Sequence, residues 1–176
     1  MVEWSIEALA PACSRTVLAV PSGFEDPPDR VAGGASRSAS VRKAIAAAPE
    51  ATVFVVHDAA RPLVTPDLVA RCLGSLDGVD GVIAAVPLSD TVHIASEHVI
   101  RETPDRSTLW AAQTPQVFRA DVLRSACDSN QEVTDEASLV AAVGGTVRLV
   151  DGSSDNIKVT TPTDLRLAEA LLRERC

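Results

Sequence analysis

Apolar residues along the chain follow two patterns. Continuous runs are typical of strands buried on both faces, and residues three or four apart are typical of helices. Short apolar runs bounded by Gly, Pro or polar residues predict strands. They occupy residues 16–20, 52–56, 81–86, 110–113, 146–150 and 156–160. Apolar residues three or four apart predict helices between them, including one over 2–9 and one from about residue 120. The predicted N-caps of four other helices are Ser38, Thr65, Thr134 and Thr161.

Residues 87–109 interrupt this alternation and predict a short two-stranded arm, with strands at 91–95 and 99–102. Elsewhere strands alternate with helices, which predicts an α/β fold with a mostly parallel sheet and helices on both faces. The sequence contains no internal repeat, linker or low-complexity tract. We therefore expect residues 1–176 to form a single domain from which the arm 87–109 protrudes.

Charge and composition exclude several classes of partner. Sixteen basic and 24 acidic residues give a net charge of −8, and aromatic residues make up 3% of the chain. This balance disfavours binding to nucleic acid and to anionic membranes, and it offers few rings on which bases could stack. No apolar run approaches the roughly 20 residues that a membrane helix needs. An anionic substrate would therefore need a local basic cluster on an acidic protein.

The N-terminal residues and the cysteines indicate a cytoplasmic protein. Residues 1–4 carry an acid instead of the basic flank of a signal peptide. The four cysteines are far apart and contain no C-x-x-C pair, which favours reduced thiols over a disulfide framework or a zinc site. His57, His93 and His98 lack metal-ligand spacing and are interpreted as structural or surface residues, so no metal ligand is assigned.

Polar residues of interest cluster where predicted strands end, and ligands of open α/β sheets bind beyond the carboxyl ends of the strands. These residues are Gly33, Gly34, Arg37, Ser40, Asp58, Arg61, Thr91 and Thr114. Asp58 and Arg61 are separated by small residues that let a ligand approach the backbone, and Arg matches phosphate with two parallel donors. The alternative is an Asp58–Arg61 ion pair that fixes the turn.

Lys158 is the stronger candidate because of its neighbours in the sequence; it and Lys43 are the two lysines. In a strand over 156–160, Lys158 would share one face with Asn156 and Thr160. A lysine between two hydrogen-bonding residues suits a phosphate. The alternative is a solvated edge strand with a protective lysine. Arg106 lies in the arm, where a solvated loop charge is the alternative to a functional role. The sequence contains no G-x-S-x-G and no Walker motif.

Six stretches, in this order and spacing, resemble the 2-C-methyl-D-erythritol 4-phosphate cytidylyltransferase family over essentially the whole chain. They are GGASRSASV (33–41), HDAARP (57–62), DT (90–91), DRSTLWAAQTPQ (105–116), TDEAS (134–138) and NIKVTTPTDL (156–165). The resemblance implies a Rossmann-like nucleotidyltransferase fold and transfer of a cytidylyl group from CTP to methylerythritol phosphate, with Mg²⁺ and release of pyrophosphate. It also implies a cytoplasmic homodimer in which the arm reaches a partner subunit.

The resemblance implies roles for individual residues as well. Arg106 and Lys158 would be catalytic, positioning the attacking phosphate. The remaining methylerythritol phosphate contacts would be Asp58, Arg61, Thr91, Thr114 and Thr134. The nucleotide contacts would be Gly33, Gly34, Ser40, Asp58 and Ala59.

Two departures from the family pattern affect these expectations. Ala35 stands where family members often carry an acid. The family also opens with an inner strand and a Gly-rich loop whose Arg and Lys bind the triphosphate, whereas Met1 to Trp4 match the helix that follows that loop. We therefore expect a fold truncated at its N-terminus and little activity from these 176 residues, with Met1 either an internal start or the start of a shortened form. The alternatives are a cytidylyltransferase for another polyol phosphate, such as ribitol phosphate, and a non-catalytic remnant that binds sugar phosphate.

Overall fold

The computed structural model describes residues 1–128 and 133–175 as helices, strands and connecting loops. Its helices are α1 (Val2–Leu9), α2 (Arg37–Ala46), α3 (Pro66–Gly74), α4 (Ala120–Cys127), α5 (Glu136–Ala142) and α6 (Pro162–Arg175). Its strands are β1 (Leu18–Val20), β2 (Arg30–Ala32), β3 (Val53–Val56), β4 (Gly81–Pro87), β5 (Ile94–Ser96), β6 (Val99–Glu102), β7 (Trp110–Arg119) and β8 (Val147–Asp151).

The central sheet has four strands in the order β3-β7-β4-β8. β4 and β8 pair in parallel, whereas β7 runs antiparallel to both β3 and β4. Three of the four strands therefore point the same way, and their carboxyl ends meet at one edge of the sheet. The predicted α/β class is confirmed, with one reversed strand inserted between the others.

Helices cover both faces of this sheet, as predicted. On one face, side chains of α2, α4 and α5 pack against Ile83 and Phe118. On the other, Leu68 and Cys72 of α3 pack against Val82 and neighbouring strand residues. Because β4 is covered on both sides, its first five residues are buried without alternation, which explains its continuous apolar sequence.

A separate two-stranded parallel sheet joins β1 to β2. The sequence predicted β1 but not β2. A cavity of about 580 Å³ lies between β1 and β3, with α1 and α2 forming its other walls. In the described parts of the chain β3 is an edge strand on this side, and its Val53 is 37% exposed. The two sheets are therefore not continuous.

Helix starts agree with the sequence except at two caps. Thr65 caps α3 as predicted. At α2 the cap is Ser36, which accepts from the Ala39 N–H at 3.1 Å, so the prediction of Ser38 is wrong. The Ser38 hydroxyl instead donates to a carbonyl preceding α5. The prediction of Thr134 as cap of α5 is also wrong, because the adjacent Asp135 takes that position.

The arm connects two neighbouring antiparallel strands, β4 and β7, and leaves the sheet at their shared end. The Leu88 N–H donates to the Leu109 carbonyl at 3.2 Å and closes its base. Within it, β5 and β6 pair antiparallel, close to the predicted strands. Every residue of both strands is exposed.

In residues 1–128 and 133–175, no helix combines the length and apolarity needed to span a lipid bilayer. Cys13, Cys72 and Cys127 are free thiols, and Cys176 lies outside the described residues.

Candidate active site

The carboxyl ends of the parallel strands bring two distant segments together. Asp58 follows β3, and residues 152–160 follow β8 at the opposite edge of the sheet. After β8 the chain turns and crosses the ends of the strands towards β3. We call residues 152–160 the crossing segment.

The first half of the crossing segment is tied to the middle of the sheet. The Gly152 N–H donates to the Ala85 carbonyl of β4 at 2.8 Å. The Gln113 side chain of β7 donates to the Ser153 carbonyl at 2.8 Å. A side chain at Gly152 would place its Cβ 2.4 Å from the Gln113 Oε1 atom, so it would have to displace the Gln113 amide that bonds the Ser153 carbonyl.

The second half is tied to the turn after β3. The Val159 N–H donates to the Ala60 carbonyl at 2.7 Å, and Arg61 Nη1 donates to the Asn156 carbonyl at 2.7 Å. The turn itself is closed by a hydrogen bond from the Arg61 N–H to the Asp58 carbonyl at 2.8 Å. Arg61 therefore holds the crossing segment, and the turn does not depend on an Asp58–Arg61 ion pair.

The predicted strand over 156–160 is wrong, because these residues lie across strand ends and not beside a strand. The expected common face is lost as a consequence. Asn156 is buried and its amide donates to the Thr114 carbonyl at 2.9 Å. The Thr160 hydroxyl donates to Asp164 in the first turn of α6. Lys158 alone of the three reaches the Asp58 carboxylate.

A cluster of four charged residues forms where the crossing segment meets Asp58. Lys158 Nζ lies 2.7 Å from Asp58 Oδ2. Arg37 Nε donates to Asp58 Oδ1 at 2.9 Å. Arg37 Nη1 also donates to both carboxylate oxygens of Glu136, at 2.8 and 2.9 Å. We call Arg37, Asp58, Glu136 and Lys158 the charge cluster.

Burial and pairing set the ionisation of the two carboxylates in opposite directions. Burial acts to raise the pKa of Asp58, but the hydrogen bond from Lys158 and the charge of Arg37 outweigh it, so the pKa lies below its usual range. Burial is the larger effect at Glu136 and raises its pKa in spite of Arg37. Asp58 is thus a firmly ionised carboxylate with two cationic partners.

His57 and Thr114 form a chain of hydrogen bonds that holds the backbone of Asp58. His57 Nε2 lies 3.2 Å from the Arg61 carbonyl, which can only accept, so this nitrogen carries the proton. The Thr114 hydroxyl donates to His57 Nδ1 at 3.0 Å and accepts from the Asp58 N–H at 3.1 Å. Burial lowers the pKa of His57 to about 4, so the imidazole is neutral at pH 7. Both ring nitrogens of His57 are engaged by protein groups, which agrees with a structural role.

This neutral histidine predicts a loss of stability in acid. Below the ordinary pKa of 6.5 the unfolded chain binds a proton at His57, whereas the folded chain resists protonation until about pH 4. The free energy of unfolding should therefore fall as pH drops from 6.5 to 4, by about 2 kcal/mol at pH 5 from this group. Urea unfolding of the wild type and His57→Gln at pH 7.5 and pH 5 isolates the effect. Equal losses in both proteins between the two pH values would contradict it.

The Gly33–Gly34 loop lies against the first turns of α2. The Gly34 N–H donates to the Ser40 hydroxyl at 3.0 Å, and Lys43 donates to the Gly33 carbonyl at 3.0 Å. A Cβ on Gly34 would lie 2.3 Å from the Ala39 Cβ, so the loop can pack here because it has no side chain. Ser40 thus fixes the loop, and its contact with a nucleotide stays a prediction.

Other predicted site residues fall around the charge cluster or on the arm. Ala59 is exposed beside Asp58. Thr134 is exposed just before α5, two residues from Glu136. Thr91 and Arg106 are exposed on the arm, where Arg106 donates to the Ser89 carbonyl. Their substrate contacts stay predictions.

Sequence reasoning gave no role to Arg37 and did not single out Glu136 as a site residue. The sequence places Arg37 near the end of a strand and Glu136 in the first turn of a helix, and neither position by itself indicates a role. They lie 99 positions apart, so no local spacing connects them. The link between the two residues is visible in the structure, where Glu136 is a buried acid at the start of a helix and pairs with the cation of Arg37.

The described side chains offer few ligands for a metal ion. In the described ranges, no group of three or more His, Cys, Asp or Glu side chains could hold a metal ion. Both oxygens of Asp58 already face cations. The residues that the structure describes therefore form no protein cage for Mg²⁺.

Comparison with known proteins shows the family of the chain. The family model of 2-C-methyl-D-erythritol 4-phosphate cytidylyltransferase matches residues 2–174. The chain belongs to this family. The relative from Nocardia farcinica is 43% identical over 189 residues, covering 99% of this chain and 82% of its own length. The relative from Syntrophotalea carbinolica is 42% identical over 172 residues, covering 94% of this chain and 73% of its own length.

Solved structures of the family share the fold. The cytidylyltransferase from Thermus thermophilus superposes with a TM-score of 0.87 at 35% identity, over 98% of this chain and 88% of that one. The enzyme from Francisella tularensis gives a TM-score of 0.84 at 30% identity. The charge cluster therefore lies in a cytidylyltransferase fold, and the protein is a nucleotidyltransferase of isoprenoid biosynthesis.

Proposed function

We propose that the charge cluster is the acceptor side of a site that transfers the cytidylyl group of CTP to 2-C-methyl-D-erythritol 4-phosphate. The observation that carries this is the position of Lys158. The crossing segment brings its ammonium to the carboxyl ends of the strands, 42% exposed and 2.7 Å from Asp58. An exposed cation at that edge suits a phosphate group.

In this reaction an oxygen of the acceptor phosphate forms a bond to the α-phosphorus of CTP. The bond from that phosphorus to the bridging oxygen of the β-phosphate breaks, and pyrophosphate leaves. Two anions must meet, so the protein's task is to neutralise them and to align the attacking oxygen. Lys158 would hold the acceptor phosphate. Arg106 of the arm would be a second cation that holds the same phosphate.

The remaining residues divide between binding and support. Gly33, Gly34, Ser40 and Ala59 would contact the nucleotide, and Thr91 and Thr134 the acceptor. The structure adds that Arg61 and Thr114 already hold other protein groups. Their support of the crossing segment and of Asp58 is sufficient reason for their presence, and direct substrate contacts would add to it.

Mg²⁺ is proposed to enter with the nucleotide. Mg²⁺ is commonly held by substrate phosphates, waters and one or two carboxylates instead of a full protein cage. This agrees with the small ligand set of the described residues. When bound, the ion would neutralise triphosphate charge, while the chain's own cations serve the acceptor.

Acceptor specificity can be tested with a chimaera. It places ahead of Val2 the N-terminal strand and Gly-rich loop that the resemblance ascribes to the family. Methylerythritol phosphate and ribitol phosphate are offered in parallel with CTP and Mg²⁺, and pyrophosphate release is measured. We expect turnover with methylerythritol phosphate. Preference for ribitol phosphate would replace the proposed acceptor, and no turnover with any acceptor would favour a binding protein.

The arm is proposed to join two copies of the chain in a homodimer, in a cytoplasm where CTP is available. Ile94, Val99 and Ile100 of the arm are 51%, 53% and 56% exposed. An isolated two-stranded hairpin is marginally stable in water. Exchange of arms between two identical subunits would cover these side chains, and the same contact would form twice in the dimer.

Deleting Ser89 to Ser107 should therefore convert a dimer into a monomer. The double substitution Val99→Glu with Ile100→Glu should do the same without shortening the chain, because it places charges on the surface to be covered. Mass by light scattering at micromolar concentration gives the result. A wild-type protein that is already monomeric would rule out the arm as a dimer contact.

A further inference from the structure

Arg37 lies between two carboxylates that come from distant parts of the chain. It is the first residue of α2, whereas Asp58 follows β3 and Glu136 opens α5. Its Nε serves Asp58, and its Nη1 serves both oxygens of Glu136. One planar guanidinium therefore makes both contacts with different nitrogen atoms.

The four members of the charge cluster differ widely in exposure. The side chain of Glu136 is 1% exposed, that of Asp58 15%, that of Arg37 28% and that of Lys158 42%. Two acids and two bases balance, so the cluster as a whole is neutral. A solvent anion therefore meets Lys158 first, and Glu136 is the anchor at the buried end.

The two oxygens of Asp58 have separate partners. Oδ1 accepts from Arg37, and Oδ2 faces Lys158. If Lys158 turned towards a ligand, Asp58 would keep one cation and one strong hydrogen bond. Without Arg37, the carboxylate would be balanced by Lys158 alone, and a phosphate would have to compete with it for the ammonium.

We propose that Arg37, anchored on Glu136, is a positioning residue that holds and neutralises Asp58 so that the Lys158 ammonium is available to the acceptor phosphate. The inference rests on the proposed function, because the acceptor phosphate is the anion concerned. A lysine at position 37 could not replace Arg37 fully, since a single nitrogen cannot make both contacts with the same geometry.

The test measures binding of methylerythritol phosphate to the 176-residue chain by calorimetry. Arg37→Gln should weaken binding about tenfold, within the range of coupling between contacting charges. Arg37→Lys should lie between Arg37→Gln and the wild type. Arg173→Gln, which removes an exposed cation near the end of α6, should bind as the wild type does. Circular dichroism checks that each variant is folded.

The double substitution separates positioning from mere packing. In an Asp58→Asn background there is no carboxylate charge to neutralise, so adding Arg37→Gln should change affinity by less than about threefold. An equally large loss in both backgrounds would overturn the proposal, because Arg37 would then act without Asp58.

A second readout needs no ligand. With ¹³C-labelled lysine, the two lysines of the sequence give two sets of NMR signals. Arg37→Gln should move the Lys158 signals and leave those of Lys43 in place. Unchanged Lys158 signals would contradict the inference, even if the wild type failed to bind methylerythritol phosphate. Failure of the wild type to bind would count against the proposed function instead.

Discussion

Replacing Lys158 by Ala in the chimaera should lower the rate of cytidylyl transfer by roughly 10²–10³-fold or more, as loss of one contact to developing charge does in other enzymes. The cation that faces the acceptor phosphate would be gone. The fold should be little affected, because Asp58 keeps Arg37 and the crossing segment keeps its backbone ties to Ala60 and Ala85. The loss of stability should stay small, because Lys158 is 42% exposed and its partner carboxylate keeps Arg37. Rate and melting temperature are measured together.

Two variants serve as controls for Lys158→Ala. Lys158→Arg should recover part of the rate, since a planar fork does not replace a compact ammonium. Arg173→Ala removes a cation of equal charge far along α6 and should leave the rate unchanged. Near-normal turnover by Lys158→Ala would refute the role of Lys158. Lost turnover together with a large fall in melting temperature would indicate a structural role instead.

The 176-residue chain on its own should release little or no pyrophosphate from CTP and methylerythritol phosphate. Its two lysines are Lys43, which donates to the Gly33 carbonyl, and Lys158 in the charge cluster. Neither belongs to a Gly-rich loop that could cradle a triphosphate with backbone N–H groups. Loss of several such contacts, each worth about 3–4 kcal/mol, should slow transfer by many orders of magnitude.

The chimaera provides the comparison for this prediction. Its added strand should occupy the cavity between β1 and β3, where apolar side chains of α1 and α2 form the walls. The chimaera should therefore melt at a higher temperature as well as turn over faster. Robust turnover by the 176-residue chain itself would show that the described site binds the triphosphate in another way.

Local sequence predicted those parts of the fold that depend on neighbouring residues. The Thr161 cap is an example. The Thr161 hydroxyl accepts from the Asp164 N–H at 3.2 Å, and the Asp164 carboxylate accepts from the Thr161 N–H at 2.8 Å. This reciprocal capping box is formed within four consecutive residues, so local sequence is sufficient to predict it. Strands β3, β4 and β8 were found for the same reason, since their apolar runs are local. Strand β7 was predicted over 110–113 alone, whereas it continues to Arg119, and its buried part lies mostly beyond the predicted end.

Features set by distant contacts could not be found in this way. The alternation at 156–160 is genuine, yet the segment crosses strand ends because Gly152 and Arg61 tie it there. Ser36, Ser38 and Ser40 each suit a helix cap, and the contact of Ser38 with the loop before α5 decides among them. The Arg37–Glu136 pair joins two helices that have no shared pattern in the sequence.

The most direct measurement of the central claim is ³¹P NMR of the products that the chimaera makes from CTP and 2-C-methyl-D-erythritol 4-phosphate. We predict loss of the acceptor phosphate signal, two new coupled signals of a diphosphate joining cytidine to methylerythritol, and an equal amount of pyrophosphate. Over the time in which the parent chimaera consumes its substrates, the Lys158→Ala form should leave nearly all of both substrates unconverted. An acceptor signal that persists while the folded chimaera binds CTP would contradict the account.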